Sequence, residues 1–250
     1  MPAVGCSASG PDASRWMYRQ PEQVGDGWAT ASLADSGLDE ARLALLMEVL
    51  RQNPGHLVHG IAIDRGFISS VDARVFDYFP ELADLGVGRR GDITLRHLVT
   101  MSAGLQSGLT NVLGEVIRRA SGLRLDEFSD RYLFAPLGIT DCLWHMVRPD
   151  FVYASGDISL RPRDAAKLGQ LYLQDGVWNG ERLLYSEWIR ASAAPSFATS
   201  EWMGHTGYGY GWWRKSPAYG ADAFAAAGWG DQAIIVMPEH DMVAVFTGGS

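Results

Sequence analysis

Only two of the 21 basic residues are lysines, Lys167 and Lys215; the other 19 are arginines. Any chemistry that needs a lysine amine therefore has two candidates. His56 and His59 stand three apart, a spacing that one metal ion can bridge, but no carboxylate or third histidine completes a ligand set. We expect packing or surface roles for both, with no metal and no cofactor. Cys6 and Cys142 are too few for a disulfide framework or a cysteine-based zinc site. The sequence has no Gly-x-Ser-x-Gly elbow and no glycine-rich loop of the dinucleotide or P-loop type.

The elements that must position any site can be read from the hydrophobic pattern. The chain has 250 residues, enough for a sizeable core, and 29 acidic residues against 21 basic ones argue against a nucleic-acid partner. No apolar run approaches the ~20 residues of a membrane span, and no basic leader precedes Cys6. We expect a soluble protein, cytoplasmic or periplasmic, with no membrane association. Residues 1–35 are polar and rich in Gly, Ser, Pro and Asp, and read as an extended arm. Residues 36–250 read as one domain, opened by a helix that Ser36 caps and that buries Leu38, Ala41, Leu45 and Val49.

An apolar run, Leu57 to Ile63, leads into Asp64-Arg65-Gly66, a helix end with Gly66 in the left-handed position. A helix starts at Thr94. The series Leu109, Val112, Leu113, Val116, Ile117 and Ala120 marks a second that buries one face and closes at Gly122. Further helices are predicted from Asp126 to Phe134, from Pro162 towards Gly176, and from Tyr185 to Ala194. After residue 205 the pattern turns to strands: Tyr208 to Arg214, Ala221 to Gly228, Gln232 to Met237 and Met242 to Thr247. Helices followed by an antiparallel meander indicate an α+β protein.

Four segments, in order, resemble the serine β-lactamase-like hydrolases: class C β-lactamases, penicillin-binding proteins, related esterases and 6-aminohexanoate-dimer hydrolases. They are Asp92 to Leu105 (DITLRHLVTMSAGL), Leu113 to Gly122 with Leu133 to Thr140, Arg161 to Leu173 with Trp178-Asn179-Gly180, and Gly228 to Gly230 with Val236 to Gly249. The resemblance covers about residues 61–249. It implies an antiparallel sheet flanked by helices, an all-helical part spanning about 61–195, a sheet part spanning about 205–250, and a site between them. It also implies acyl transfer on amide, ester or β-lactam bonds through a serine ester. A Ser-x-x-Lys pair would place the amine one helical turn from the hydroxyl as its base. A tyrosine loop would shuttle the proton and a Lys-Thr-Gly-like strand would bind the substrate edge.

The sequence departs from that pattern at each catalytic element. The residues three before the lysines are Asp164 and Trp212, so Ser-x-x-Lys is absent. None of the nine tyrosines has Asn two residues later. In the tyrosine loop, Gly104-Leu105-Gln106 runs straight into Ser107, which alone keeps a suitable side chain. Tyr153-Ala154-Ser155 is the nearest imitation of the lost loop, with Tyr153 as a possible lining residue. His205-Thr206-Gly207 spells a variant of the triplet before the wrong strand. Ala226-Ala227-Gly228 matches its position better, and Gly228 would let backbone approach a ligand. Ala227, Gly228 and Trp229 are therefore the candidate substrate-binding residues, without a cationic head.

Three readings follow from these departures. The first is a shortened hydrolase that has lost its nucleophile and base. The second is a binding pseudoenzyme that holds a peptide, ester or amide in the old cleft. The third is an active hydrolase using another serine, such as Ser107 or Ser155. A shortened sheet would also leave an edge open to self-association.

Overall fold

The computed structural model describes residues 29–30, 57–103, 109–144, 146–148, 151–152, 154, 158–202, 204–228 and 232–247. The predicted helix from Ser36 and the candidates Ser107, Tyr153, Ser155 and Trp229 lie outside them. The chain divides between Leu50 and Arg51, and the elements below belong to the second unit, Arg51–Ser250.

The first element is α1 (Leu57–Asp64), whose apolar run continues round the helix and buries His59, Ile61 and Ala62. It ends at Gly66, with φ of 76°. Gly60 lets another element touch α1 directly, because a Cβ there would lie 2.2 Å from the indole nitrogen of Trp188. Three short 3-10 turns lead to α2 (Leu95–Val99), which Thr94 and His97 open as a reciprocal capping box. At the other end of α2 the Ser102 amide donates to the His97 carbonyl and the Met101 amide to that of Leu98. This is a Schellman closure with Met101, not glycine, in the left-handed position at φ 57°.

The strongest periodicity in the sequence becomes α3 (Leu109–Ser121), with Leu113, Val116 and Ile117 fully buried. Then comes α4 (Leu125–Ser129), which passes without interruption into a π turn, Asp130–Phe134. The Ala135 amide reaches back five residues to the Asp130 carbonyl at 2.9 Å. That turn stacks Tyr132 against Phe128, with ring centroids 4.7 Å apart, and against Phe67 at 5.6 Å.

Short strand pairs follow, β1 (Cys142–Trp144) with β4 (Ile158–Leu160), and β2 (Met146–Arg148) with β3 (Phe151–Val152). Pro162 then starts α5 (Pro162–Leu173) at the one place in a helix where its missing amide costs nothing. A two-strand ribbon, β5 (Val177–Trp178) and β6 (Glu181–Arg182), connects it to α6 (Ser186–Ala193).

The main sheet has six antiparallel strands in the order β12-β11-β10-β9-β8-β7. They are β7 (Phe197–Trp202), β8 (His205–Tyr208), β9 (Trp213–Lys215), β10 (Phe224–Ala227), β11 (Ala233–Met237) and β12 (Met242–Phe246). In register, Ile234 faces Val245 and Val236 faces Val243. These side chains point at α5, and Gly169 brings the helix so near that a Cβ would meet Val243 at 2.6 Å. The alternate residues Ala225, Ala227, Ala233, Ile235 and Met237 are buried as well. Both faces of β10 and β11 are thus withdrawn from water, and so they read as unbroken apolar runs.

Two sequence-predicted strands change shape. Tyr208 to Arg214 does not run as one strand: residues 209–212 leave the sheet, the Gly209 amide closing a turn on the Trp212 carbonyl at 2.8 Å. That excursion docks the Tyr210 amide on the Ser192 carbonyl at the end of α6. Ala221 to Gly228 contracts to Phe224–Ala227. Strand β7 and the β1–β4, β2–β3 and β5–β6 pairs were not foreseen, and the three pairs interrupt the stretch expected to be all helical; apart from β7 these strands are only two or three residues long.

A non-glycine residue in the left-handed region costs about 1 kcal/mol. Met101 is 46% exposed, so little packing opposes its removal. Met101→Gly should therefore stabilise the chain by about 0.5–1 kcal/mol, seen as a rise of about 1–4 °C in the thermal midpoint.

Candidate functional site

The two lysines mark where amine chemistry would have to occur, and the structure places both in settings that hold the fold. Lys167 lies one turn into α5 with no exposed surface. Its Nζ stands 3.0 Å from the Asp164 carboxylate and donates to the Gly138 carbonyl at 3.1 Å. Asp164, equally buried, also accepts from Arg161 Nε at 2.6 Å. The i, i+3 spacing that would set a hydroxyl beside the amine here sets a carboxylate beside it.

Lys215 ends β9, directly across from His205 on β8. Its Nζ lies 4.3 Å from the centre of the Tyr219 ring, and the imidazole packs on Trp213 with centroids 5.0 Å apart. Both residues are almost fully buried. Burial pushes the Lys215 amine down to about 8. Burial first, and the Lys215 charge second, push the His205 imidazole down to about 4. The His205-Thr206-Gly207 triplet is therefore part of a strand paired on both sides, two places from β10 in the sheet.

Of the candidate substrate-binding residues, Ala226 and Ala227 lie in β10 and Gly228 follows it. Ala226 and Ala227 are buried in β10, paired with Ile234 and Ala233 of β11. Just beyond, the Gly228 amide donates to the Gln232 carbonyl at 3.0 Å and closes the turn between the strands. Ala226 faces the core that α5 covers and Ala227 the opposite side. The triplet offers small side chains and backbone, with no charge of its own.

The aromatic residues from Tyr208 to Trp213 divide in the same direction. Trp212 is fully buried between Tyr172, 4.5 Å away by centroid, and Phe224, 5.1 Å away. Tyr210 packs on Trp188. The Tyr172 hydroxyl shares a 2.8 Å hydrogen bond with Ser192, and burial pushes it up to about 12. These rings are core.

Arg96, which sequence reasoning passed over, joins the helical part to the sheet. Its guanidinium grips Asp72 with two bonds, at 2.7 and 2.9 Å, and donates through Nη1 to the Tyr210 hydroxyl. The bond from Arg96 holds the Asp72 carboxyl below its usual range. The hydroxyl–imidazole contact between Thr94 and His97, at 2.9 Å, belongs to the capping box of α2. His59 is buried inside the fold, in keeping with a packing role. No group of three metal-ligating side chains occurs among the described residues, and no described helix is long and apolar enough to cross a membrane.

Between pH 4 and 6.5 the unfolded chain binds a proton at His205 that the folded chain refuses, so stability should rise with pH across that window. Between pH 8 and 10.5 the same holds for Lys215, giving a second rise. Denaturant midpoints measured across both windows check this. His205→Asn should flatten the first window, by about 1–3 kcal/mol, and leave the second in place.

Comparison with known proteins agrees with this fold. The Beta-lactamase family model matches residues 57–247, most of the chain. A 6-aminohexanoate-dimer hydrolase of Paenarthrobacter ureafaciens is 33% identical over 89 residues, which are 35% of this chain and only 23% of that enzyme. Among solved structures, a penicillin-binding protein homologue from Caulobacter crescentus superposes with a TM-score of 0.61 at 17% identity, covering 78% of this chain and 74% of its own. A class C β-lactamase from Rhodobacter sphaeroides gives 0.57 at 15% identity, covering 80% of each chain. The antiparallel sheet with α5 against it is the fold these proteins share. The chain belongs to the beta-lactamase family, the serine β-lactamase-like hydrolases.

Proposed function

We propose that this chain keeps the scaffold of the serine β-lactamase-like hydrolases without their acyl-transfer chemistry. One observation carries the reading: neither lysine follows a serine by three residues, and the lysine that does sit on a helix, Lys167, faces Asp164 instead of a hydroxyl. In that chemistry the serine oxygen attacks the acyl carbon as its proton passes to the amine, and the leaving group then takes the proton. The Lys167 amine stands beside a carboxylate and a carbonyl, with no serine hydroxyl at the i−3 position to pass it a proton. The backbone of Ala226, Ala227 and Gly228 is engaged with β11 and the Gln232 carbonyl, and a hydrogen-bonding strand without a nucleophile forms no ester in any case.

Incubation with a chromogenic β-lactam and a p-nitrophenyl ester should give no turnover above buffer. Intact-mass analysis after treatment with a fluorophosphonate should show no adduct. Stoichiometric labelling of one serine together with turnover would overturn the proposal and support a non-standard nucleophile such as Ser107 or Ser155.

A binding role for the old cleft is the second reading; it rests on the sequence position of Ala226, Ala227 and Gly228, which would form its edge with small side chains. Calorimetry with short amide and peptide ligands tests it. Heat lost in Trp229→Ala would support binding there, and no heat from any of them would remove it.

A further inference from the structure

Among the described residues seven large apolar side chains are exposed, and three of them, Leu82, Leu85 and Val87, fall within six positions. Val87 is 65% exposed. The loop that carries them is built, not loose. Its base is clamped where Arg119 takes the Glu81 carboxylate with two bonds, at 2.6 and 3.0 Å, and the Tyr78 carbonyl at 2.9 Å. Its neck is closed where Gly91 passes the Gly86 carbonyl so tightly that a Cβ would stand 2.3 Å from the oxygen. Successive turns tie Leu82 to Phe79, Leu85 to Leu82 and Gly91 to Gly88 through backbone bonds of 2.9–3.0 Å. Ordering entropy that a partner would otherwise exact has already been spent in folding.

The tip is basic. Arg89 and Arg90 follow Val87, both exposed, and among the described residues no carboxylate stands at ion-pair distance from either. By contrast Arg96, Arg119, Arg124 and Arg214 each hold a carboxylate. The chain also carries the complementary surface. Leu143, 71% exposed on the two-stranded β1–β4 ribbon, is the most exposed of the seven. Asp141 and Asp130 are exposed beside that ribbon, and after burial their charges are the next causes that raise the Cys142 thiol.

We propose that the Leu82–Arg90 loop of one molecule docks on the Leu143–Asp141–Asp130 surface of a second copy. Apolar tip meets apolar ribbon while guanidinium meets carboxylate. The two surfaces differ, so the contact is heterologous, and copies add head to tail until a ring closes or a filament grows. The exposed charges make the association weak at high ionic strength. This proposal is independent of whether the chain retains catalysis.

Sedimentation velocity of the full chain, over about a hundredfold concentration range at low and high salt, reads the contact directly. The expected result is a weight-average coefficient that climbs with concentration at low salt and less at high salt. Arg89→Glu with Arg90→Glu should abolish the climb, as should Asp130→Arg with Asp141→Arg, and mixing the two variants should restore it. Val87→Asp gives a second disruption that leaves the arginines in place, and thermal melts show that each variant folds. A wild-type chain that stays monomeric overturns the proposal. So does association that survives both charge reversals, which would move the contact to a sheet edge. A monomer that co-sediments with vesicles of anionic lipid would assign the loop to a bilayer and overturn it equally.

Discussion

A lysine ammonium with no exposed surface has to be neutralised where it stands. At Lys167 the fold does this with Asp164 on the same helical face and the Gly138 carbonyl from the turn after the π segment. Breaking a buried pair by removing one partner leaves an uncompensated charge, a loss of about 3–5 kcal/mol. The arrangement therefore pins the start of α5, and α5 in turn covers β11 and β12. Both partners of the Lys167 amine, Asp164 and the Gly138 carbonyl, are thereby committed to holding a helix.

The remaining architecture is a set of close approaches across that frame. Gly60 admits Trp188, Gly169 admits Val243 and Ile234, and in each case a methyl group would force the elements apart. Trp188 stacks on Tyr210, whose hydroxyl accepts from Arg96, which holds Asp72. A continuous path of contacts thus runs from α1 through α6 and the strand excursion at 209–212 to the loop before α2. Its polar end is exposed and its aromatic end is sealed, so most of its stabilisation comes from packing.

Long periodic segments were legible in the sequence because burial on one face imposes a repeat that survives any context. That is why α3 and α5 fall where the leucine and valine spacing predicts. Strands β10 and β11 were legible as apolar runs, though not as to which residues face α5, since both faces are buried. The excursion at residues 209–212 was not legible. Gly209 and Gly211 hinted at it, but the reason for the break is the carbonyl of Ser192 seventeen or more residues back, a tertiary fact. Of the candidate site, the absence of Ser-x-x-Lys could be read outright, whereas the pairing of His205 with Lys215 depends on strand register. Arg96 escaped notice because its two partners lie 24 and 114 residues away.

The π turn at Asp130–Phe134 carries one residue more than an α-helix of the same path would need. Such a turn behaves as a stored insertion. Loss of a single residue there would let the segment relax to ordinary helix, but it would also swing every later side chain through about 100°. Tyr132 would leave Phe67 and Phe128, and the guanidiniums of Arg65 and Arg131, which lie 4.7 and 5.3 Å from its ring centre, would lose that ring. The extra residue therefore locks the register of the segment: the aromatic and cationic neighbours of Tyr132 are packed for the longer path and would not fit the shorter one.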